Sequence, residues 1–405
     1  MQSLPGNYLT DQKIEIGAYA EIWSSLNGGA SSLIAGNLPV VGGTVTIDRS
    51  NAFRRSASNV TLLDPTGSLV PTVGGGGAFK PFGYEMRLYK GIKVGGAWSY
   101  AQLGVFLIGE VDVKNDSSGL QLIGTLRDRG EWISRMSFAA PWFIDQISHA
   151  PISADAAILS YLQGALYGVF GSVSVPFPYS FLTSTYNPAS IYAKTGDDPW
   201  RIMSDIAVAA GLQLFFDYQG ELHLSAIPTP GGASLSFLEG TPSAPHQISR
   251  VVTNQNVPNV VCVEVNGSKT NPPLKVWWWD SVGGSPSFYA ASPAGGFSPL
   301  TPQTTLPPTS GQYPPTIQKY QSTIPGDAAQ AQATANALGQ VAAGASEKAT
   351  FAVRDYPGLD VDDVVDVSRA VAGVSGATPY VIDAVQIGLD VQSGTQFTGR
   401  PTAWV

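Results

Sequence analysis

From residue 13 to 23 apolar and polar side chains alternate, with Ile14, Ile16, Ala18, Ala20 and Ile22 on one face and Glu15, Tyr19 and Glu21 on the other. Successive side chains of a strand point to opposite faces, so this run predicts a half-buried β-strand. Shorter runs of the same kind follow at 43–48, 59–63, 84–89, 104–114 and 120–126. Turn-forming pieces separate them, among them Gly28-Gly29, Asp64-Pro65-Thr66-Gly67, the glycine tract 74–77 and Gly95-Gly96. Strands at this spacing predict an antiparallel barrel or sandwich over 1–134.

The period then changes. Ser153 can cap a helix that carries Ala157, Ile158, Tyr161, Leu162 and Leu166 at helical spacing. Residues 135–197 therefore read as a smaller insert domain, partly helical and rich in aromatics. Asp198-Pro199-Trp200 is the sharpest local signal in the chain. Asp caps, Pro occupies the first helical position, and Trp200, Met203, Ala207 and Ala210 fall along one stripe. Gly211 follows where a left-handed residue ends a helix. A hairpin is expected at 212–218 and 221–227, then a strand at 260–265.

Residues 266–325 are low in periodicity and heavy in Pro, Gly, Ser and Thr, which predicts a long irregular excursion, packed on a neighbouring subunit or partly mobile. Asp327 caps a second helix, 328 to about 343, built mainly of Ala and Gln. Strand-like runs at 348–354, 364–367 and 380–391 close the chain. With 212–265 they are expected to build a second tube-like β domain over 198–405, interrupted by the 266–325 excursion. The fold class expected is mainly β (α+β), with two tube-like antiparallel barrel or sandwich domains.

Composition sharpens this picture. Of 405 residues, 43% are hydrophobic, which suffices for real cores, and only 13% are charged against a globular norm of about 25%. A surface of Ser, Thr, Gly, Asn and Gln loses little hydration when it packs on a neighbour, as an assembly subunit requires. The net charge of −8 argues against general affinity for nucleic-acid phosphates. The lone cysteine, Cys262, sits in an apolar run and reads as a buried, inert thiol. Residues 1–9 lack the features of a signal peptide, and no stretch approaches the ~18 apolar residues of a membrane span. No stable membrane insertion is expected, and folding is expected in the cytosol of the cell that makes the chain.

Candidate chemistry is sparse. His149, His223 and His246 have no second His or Cys at metal-ligand spacing, and His223 reads as an outward side chain on a hairpin arm. No Gly-x-Ser-x-Gly elbow occurs, and the 74–77 glycines lack the Gly-Lys-Ser/Thr ending of a phosphate loop. Asp360, Asp362, Asp363 and Asp366 form one carboxylate cluster. It lacks the turning glycine and closing glutamate of a calcium loop, so it reads as an acidic edge facing a lumen or an outer rim. Trp277-Trp278-Trp279 could stack on sugars, but burial at a subunit contact accounts better for three adjacent aromatics. No catalytic residue, cofactor or metal site is expected.

Several segments, in order, resemble the tail-tip hub or minor tail proteins of tailed phages, especially those of actinobacteria, and more distantly the trimeric baseplate hub of contractile phages. They are Gly42 to Asp48 through Arg54-Arg55 to Asp64, then Pro81 to Arg87, Leu103-Gly104-Val105-Phe106, and Asp198-Pro199-Trp200 with Ala210-Gly211-Leu212. Phe216 to Leu222, Phe351 to Val367 with Pro357-Gly358-Leu359-Asp360, and Tyr380 to Asp383 with Thr398-Gly399-Arg400 complete the series. The resemblance implies a virion protein that forms a homotrimeric ring continuing or closing the tail tube. It implies contacts with a distal tail or tail tube protein, the tape measure protein and tip or fibre proteins, and transient passage of double-stranded DNA. It also implies assembly in the host bacterial cytoplasm and no enzymatic activity. Some such hubs carry a fused peptidase or lysozyme. With Trp404-Val405 directly after the expected last strand, none is expected here. The rival readings are a receptor-binding or cell-wall-degrading tip protein, and a secreted adhesin.

Overall fold

In the computed structural model the early alternation becomes a barrel. The described residues are 2, 15–24, 31–72, 76–81, 83–117, 119–144, 152–170, 174–184, 188, 191–227, 232–252, 258, 260–265, 274–279, 281–282, 285–286, 316–322, 328–342 and 347–401. Strands β1 (Glu15–Ser24), β2 (Leu33–Asp48), β3 (Arg55–Leu63), β4 (Tyr84–Val94), β5 (Ala97–Asp116) and β6 (Gly119–Arg127) form the first unit. Their order is β1-β4-β5-β6-β3-β2, and β2 pairs back on β1, so the sheet closes. Closure removes free edges. The inner positions, among them Ile22, Val45, Leu62, Met86, Phe106 and Leu126, are buried in one core. Strand β5 is far longer than the expected 104–114, because the Gly95-Gly96 turn lets 97–103 fold back in register on β4.

Asp128 then accepts from the Gly130 amide and opens α1 (Arg129–Met136), a short helix the sequence did not announce. The 135–197 region supplies β7 (Trp142–Ile144), α2 (Ala154–Phe170), β8 (Tyr179–Phe181) and β9 (Ile191–Ala193). Helix α2 starts directly after Ser153, with Ala157, Ile158, Tyr161, Leu162 and Leu166 all buried, as their spacing predicts. Helix α3 (Pro199–Ala209) follows, its N-cap Asp198 accepting from the Trp200 and Arg201 amides and Gly211 taking φ 70° beyond its end. Hairpin β10 (Leu212–Phe216) and β11 (Leu222–Ala226) pairs with β8 and not with the sheet of the barrel. It shares one apolar cluster with α1, α2 and α3. The expected boundary at 198 thus runs through this cluster, because α3 and the hairpin bury their apolar faces against the insert.

Strands β12 (Leu235–Phe237) and β13 (Gln247–Val252) belong to a second six-stranded unit. Before that unit is completed, the chain makes a separate sheet from β14 (Val260–Val265) and β15 (Leu274–Trp279), with the two-residue strands β16 (Ser281–Val282) and β17 (Ser285–Pro286) beyond, and β18 (Ile317–Ser322) parallel to β14. The expected irregular excursion therefore contains two strands of a regular sheet. Residues 287–315 lie outside the described set, as does the expected cap Asp327. Helix α4 (Ala328–Ala342) packs its small side chains on β14 and β15. Strands β19 (Glu347–Val353), β20 (Val364–Arg369), β21 (Val374–Gly388) and β22 (Thr395–Pro401) finish the second unit in the order β12-β20-β21-β22-β19-β13. Of the 212–265 stretch, only β12 and β13 join it. The fold is mainly β, and one sheet spans both units because β2 pairs with β21 from Thr44↔Gly388 to Asp48↔Ala384.

The α3 stripe is buried as its sequence pattern requires, with Trp200 4% exposed and Met203 and Ala207 fully enclosed. Trp200 stacks on Phe216 within the helical cluster and sends its indole N–H to the Ala52 carbonyl of the first unit at 2.9 Å. Truncating this side chain removes packing on both sides, so Trp200→Ala should cost about 3–5 kcal/mol. Urea denaturation followed by tryptophan fluorescence measures it, and a loss under about 1 kcal/mol would contradict this role.

Candidate functional site at the junction of the two β units

Where β2 meets β21, polar side chains concentrate. The turn after β2 carries Arg49 and Arg54, and β3 opens on Arg55. Facing them is the loop between β19 and β20, which carries Asp355, Asp360, Asp362 and Asp363. Arg49 Nη1 lies 2.9 Å and Arg54 Nη2 3.1 Å from the Asp362 carboxylate, and Arg55 is ion-paired with Asp360. Arg54 also donates to the Val361 carbonyl at 2.9 Å and packs its guanidinium over the Phe215 ring. Burial alone would raise the Asp360 carboxyl, but Arg55 and Arg54 outweigh it and hold its pKa below the usual carboxylate value. Asp363 accepts the Asp360 amide at 2.8 Å and so shapes the turn.

A second ion pair joins the units deeper inside. Lys90 of β4 lies 2.5 Å from Asp355, with side chains 0% and 1% exposed. Thr395 donates to the other Asp355 oxygen at 3.0 Å, and Lys90 also donates to the Ser393 carbonyl at 3.2 Å. The helical cluster is tied in similarly. Arg129 makes two 2.8 Å bonds to Glu85 of β4 and a further bond to the Gly220 carbonyl of the β10–β11 turn. Charges this buried lose most of their hydration, so such pairs set geometry more than they add stability.

These contacts relocate the acidic cluster. Asp360 and Asp362 do not stand on a solvated edge, because three arginines neutralise them between the units. Asp366 sits half-buried on β20, opposite Ser236 of β12. Sequence reading missed the arginine partners because each pair is separated by more than 300 residues. The only signal was four aspartates in a chain otherwise sparing of charge. The tryptophan run is also placed differently. Trp277, Trp278 and Trp279 lie in β15, 7%, 2% and 6% exposed. Trp278 packs over Gly339 of α4, where a Cβ would come within 2.1 Å of its ring, and Trp277 and Trp279 join Val260 and Cys262 on the opposite face. No ring face remains for a sugar, and burial within the chain accounts for the run without a subunit contact.

Beside the junction lies a cleft of about 550 Å³. Its wall is apolar at Val208, Leu212 and Leu214, and three cations (Arg49, Lys348, Arg400) are matched there by three carboxylates (Asp48, Glu347, Asp383). It therefore has no charge preference for an anionic ligand. One group suited to a cation was overlooked in the sequence. Asp217, Glu221 and His223 bring one ligand atom each to within 4.8 Å of one another. Their arrangement has a structural use, since Asp217 Oδ1 accepts the Gln219 and Glu221 amides at 2.9 Å and closes the hairpin turn. His223 Nε2 lies 3.4 Å from Asp217 Oδ2, which raises the imidazole pKa above its ordinary value, against the effect of burial. Burial would raise the Asp217 carboxyl in turn, but the His223 ring and the Glu221 amide hold it below its ordinary value.

No protein-family model matches this chain, and no curated protein matches it. Among solved structures it is similar to the 43 kDa tail protein of prophage MuSo2 from Shewanella oneidensis, at 13% identity and a TM-score of 0.54, over 96% of this chain and 98% of that one. It is also similar to the tail protein from Neisseria meningitidis MC58, at 11% identity and a TM-score of 0.57, over 95% and 96%. At such identities the likeness is one of fold, and it extends over nearly the whole of each chain.

Two outcomes follow from the site. Asp355→Ala strands the Lys90 ammonium in the core and should cost about 3–5 kcal/mol, read as a lowered denaturation midpoint. For the hairpin, folding raises the His223 pKa and lowers that of Asp217, so their attraction stabilises fully between the unfolded values of about 3.9 and about 6.5. It fades as pH climbs through the raised imidazole pKa and as pH falls through the lowered carboxyl pKa. The stability gap between wild type and His223→Gln should therefore shrink at both ends of a pH series, whereas a constant gap would contradict the pairing.

Proposed function

We propose that this chain is a structural subunit of a phage tail, the tail-tip hub, acting as a homotrimer rather than as an enzyme. The observation that carries the reading is the two-way coverage of at least 95% with two tail proteins of known structure, one of them from a prophage, in a chain built from two fused six-stranded units. Three copies supply six such units, enough to wall a passage continuous with the tail tube. In this reading the hub sits at the tail tip of the virion and contacts a distal tail or tail tube protein, the tape measure protein and tip or fibre proteins. Double-stranded DNA passes through it only on ejection, and assembly takes place in the host bacterial cytoplasm.

The charge balance suits such a passage. A basic wall would hold phosphates by releasing counterions, and the chain is instead acidic by eight charges. Asp360 and Asp362 contribute little to a lumen, since arginines hold them at the junction. Exposed carboxylates such as Glu110 and Asp112 are better placed to face water.

Mass photometry of the purified chain across a concentration series tests the reading. A species at three times the 42.5 kDa chain mass is expected. A chain that stays monomeric throughout would contradict it.

A further inference from the structure

The two β units repeat one another in more than strand order. In strand order and direction β4, β5, β6, β3 and β2 correspond to β20, β21, β22, β19 and β13, whereas β12 lies parallel to β20 where β1 is antiparallel to β4. The two units also share a one-residue bulge at the same strand pair. Between β5 and β6 the ladder skips Gly109, from Ile108↔Leu126 to Glu110↔Thr125. Between β21 and β22 it skips Asp383, from Ile382↔Gly399 to Ala384↔Thr398. Overlaying the bulges places Val111 on Val385, Asp112 on Gln386, Val113 on Ile387 and Lys114 on Gly388. The other side of each unit agrees. Leu126 and Gly399, now equivalent, face Ala57 and Ala349, which in turn face Val45 of β2 and Arg250 of β13.

That correspondence turns the internal junction into a template. Inside the chain, β2 of the first unit pairs with β21 of the second. One step further round, the equivalent contact joins β13, the counterpart of β2, to β5, the counterpart of β21. The described residues form no third unit to complete this contact, so a second copy is the candidate source of the missing strand. Both halves stand open. Among the described residues β13 ends its sheet and pairs only with β19, and β5 beyond Leu107 pairs only with β6. The two edges carry bare apolar side chains, with Val251 and Val252 each 57% exposed and Val113 42% exposed. An open edge that presents valines is a ready template for another strand.

We propose that β13 of one copy pairs antiparallel with the Glu110–Lys114 stretch of β5 in the next copy, so that one sheet continues from chain to chain. The proposal rests on the hub reading above and names the contact that holds the ring. The register is Ser249↔Lys114, Arg250↔Val113, Val251↔Asp112 and Val252↔Val111. It puts Val252 against Val111 where the internal junction buries Ile47 against Val385. Lys348, the β19 partner of Val251, then shares a row of the sheet with Asp112 of the next copy, opposite in charge. Because the two edges are different strands, the contact is head-to-tail, the kind that closes into a ring when its rotation permits.

Engineered cysteine pairs test this, since the native Cys262 is buried. Adjacent rungs of an antiparallel ladder alternate between close and wide spacing, so one of two neighbouring pairs has the Cα separation a disulfide prefers. The pairs are Asp112→Cys with Val251→Cys, and Val111→Cys with Val252→Cys. Val113→Cys with Val251→Cys, on opposite faces, is the control. After mild oxidation at least one matched pair should give covalent dimers and trimers on a non-reducing gel, and the control should not. A trimer by mass in which neither matched pair cross-links would overturn the edge pairing and leave the hub reading standing. Equal cross-linking in the control would overturn the register. A wild-type chain that remains monomeric would overturn the hub reading and this contact with it.

Discussion

The architecture depends on an antiparallel ladder in which five residues of β2 lie opposite five of β21. Without that ladder the chain would be two separate β units. With it, a sheet closed on itself in the first unit is continued into the second. Backbone bonds set the spacing of the units, but a sheet can slip or twist about such a seam. The side chains restrict that freedom. Arg54 and Arg55 with Asp362 and Asp360 connect the units beside the end of the ladder, and Lys90 with Asp355 connects them from β4. Each pair leaves a buried charge stranded if the units shift, so the penalty for misalignment is large even where the gain from pairing is small.

The same logic explains why charge is scarce elsewhere. In the proposed ring, a subunit that met copies of itself across strand edges would give up hydration over a wide surface, and Ser, Thr and Gly give it up at least cost. The charges that remain are concentrated where orientation matters. Arg129 shows this on a smaller scale, since one guanidinium links α1, β4 and the β10–β11 turn. The helical cluster is thereby held to the barrel wall at the side chain where the chain leaves it.

Much of this was legible in the residues. Alternation in 13–23 and 84–89 named strands that exist as 15–24 and 84–94, and Asp198-Pro199 with Gly211 bounded α3 because capping chemistry is local. The tryptophan run was misread because three adjacent aromatics obey neither period. Only a strand buried on both faces reconciles them, and helix α4, which covers the Trp278 face, lies some fifty residues on in sequence. The hairpin 212–226 was assigned to the wrong layer because its alternation states that one face is buried, not against what. The site was hidden for a related reason. Asp360 and Asp362 were visible as a cluster, but Arg49, Arg54 and Arg55 stand three hundred residues earlier, and only folding brings the two sets together.

A chain in which two equivalent units share one sheet is suited to build a ring wall, with each copy supplying consecutive segments. That is the central claim, and a cryo-EM map of the intact tail tip tests it most directly. The account predicts three copies around the tail axis, with all six β units lining one passage at equal radius. A map that places the chain as a peripheral appendage, or with only one of its two β units on the wall, would contradict it.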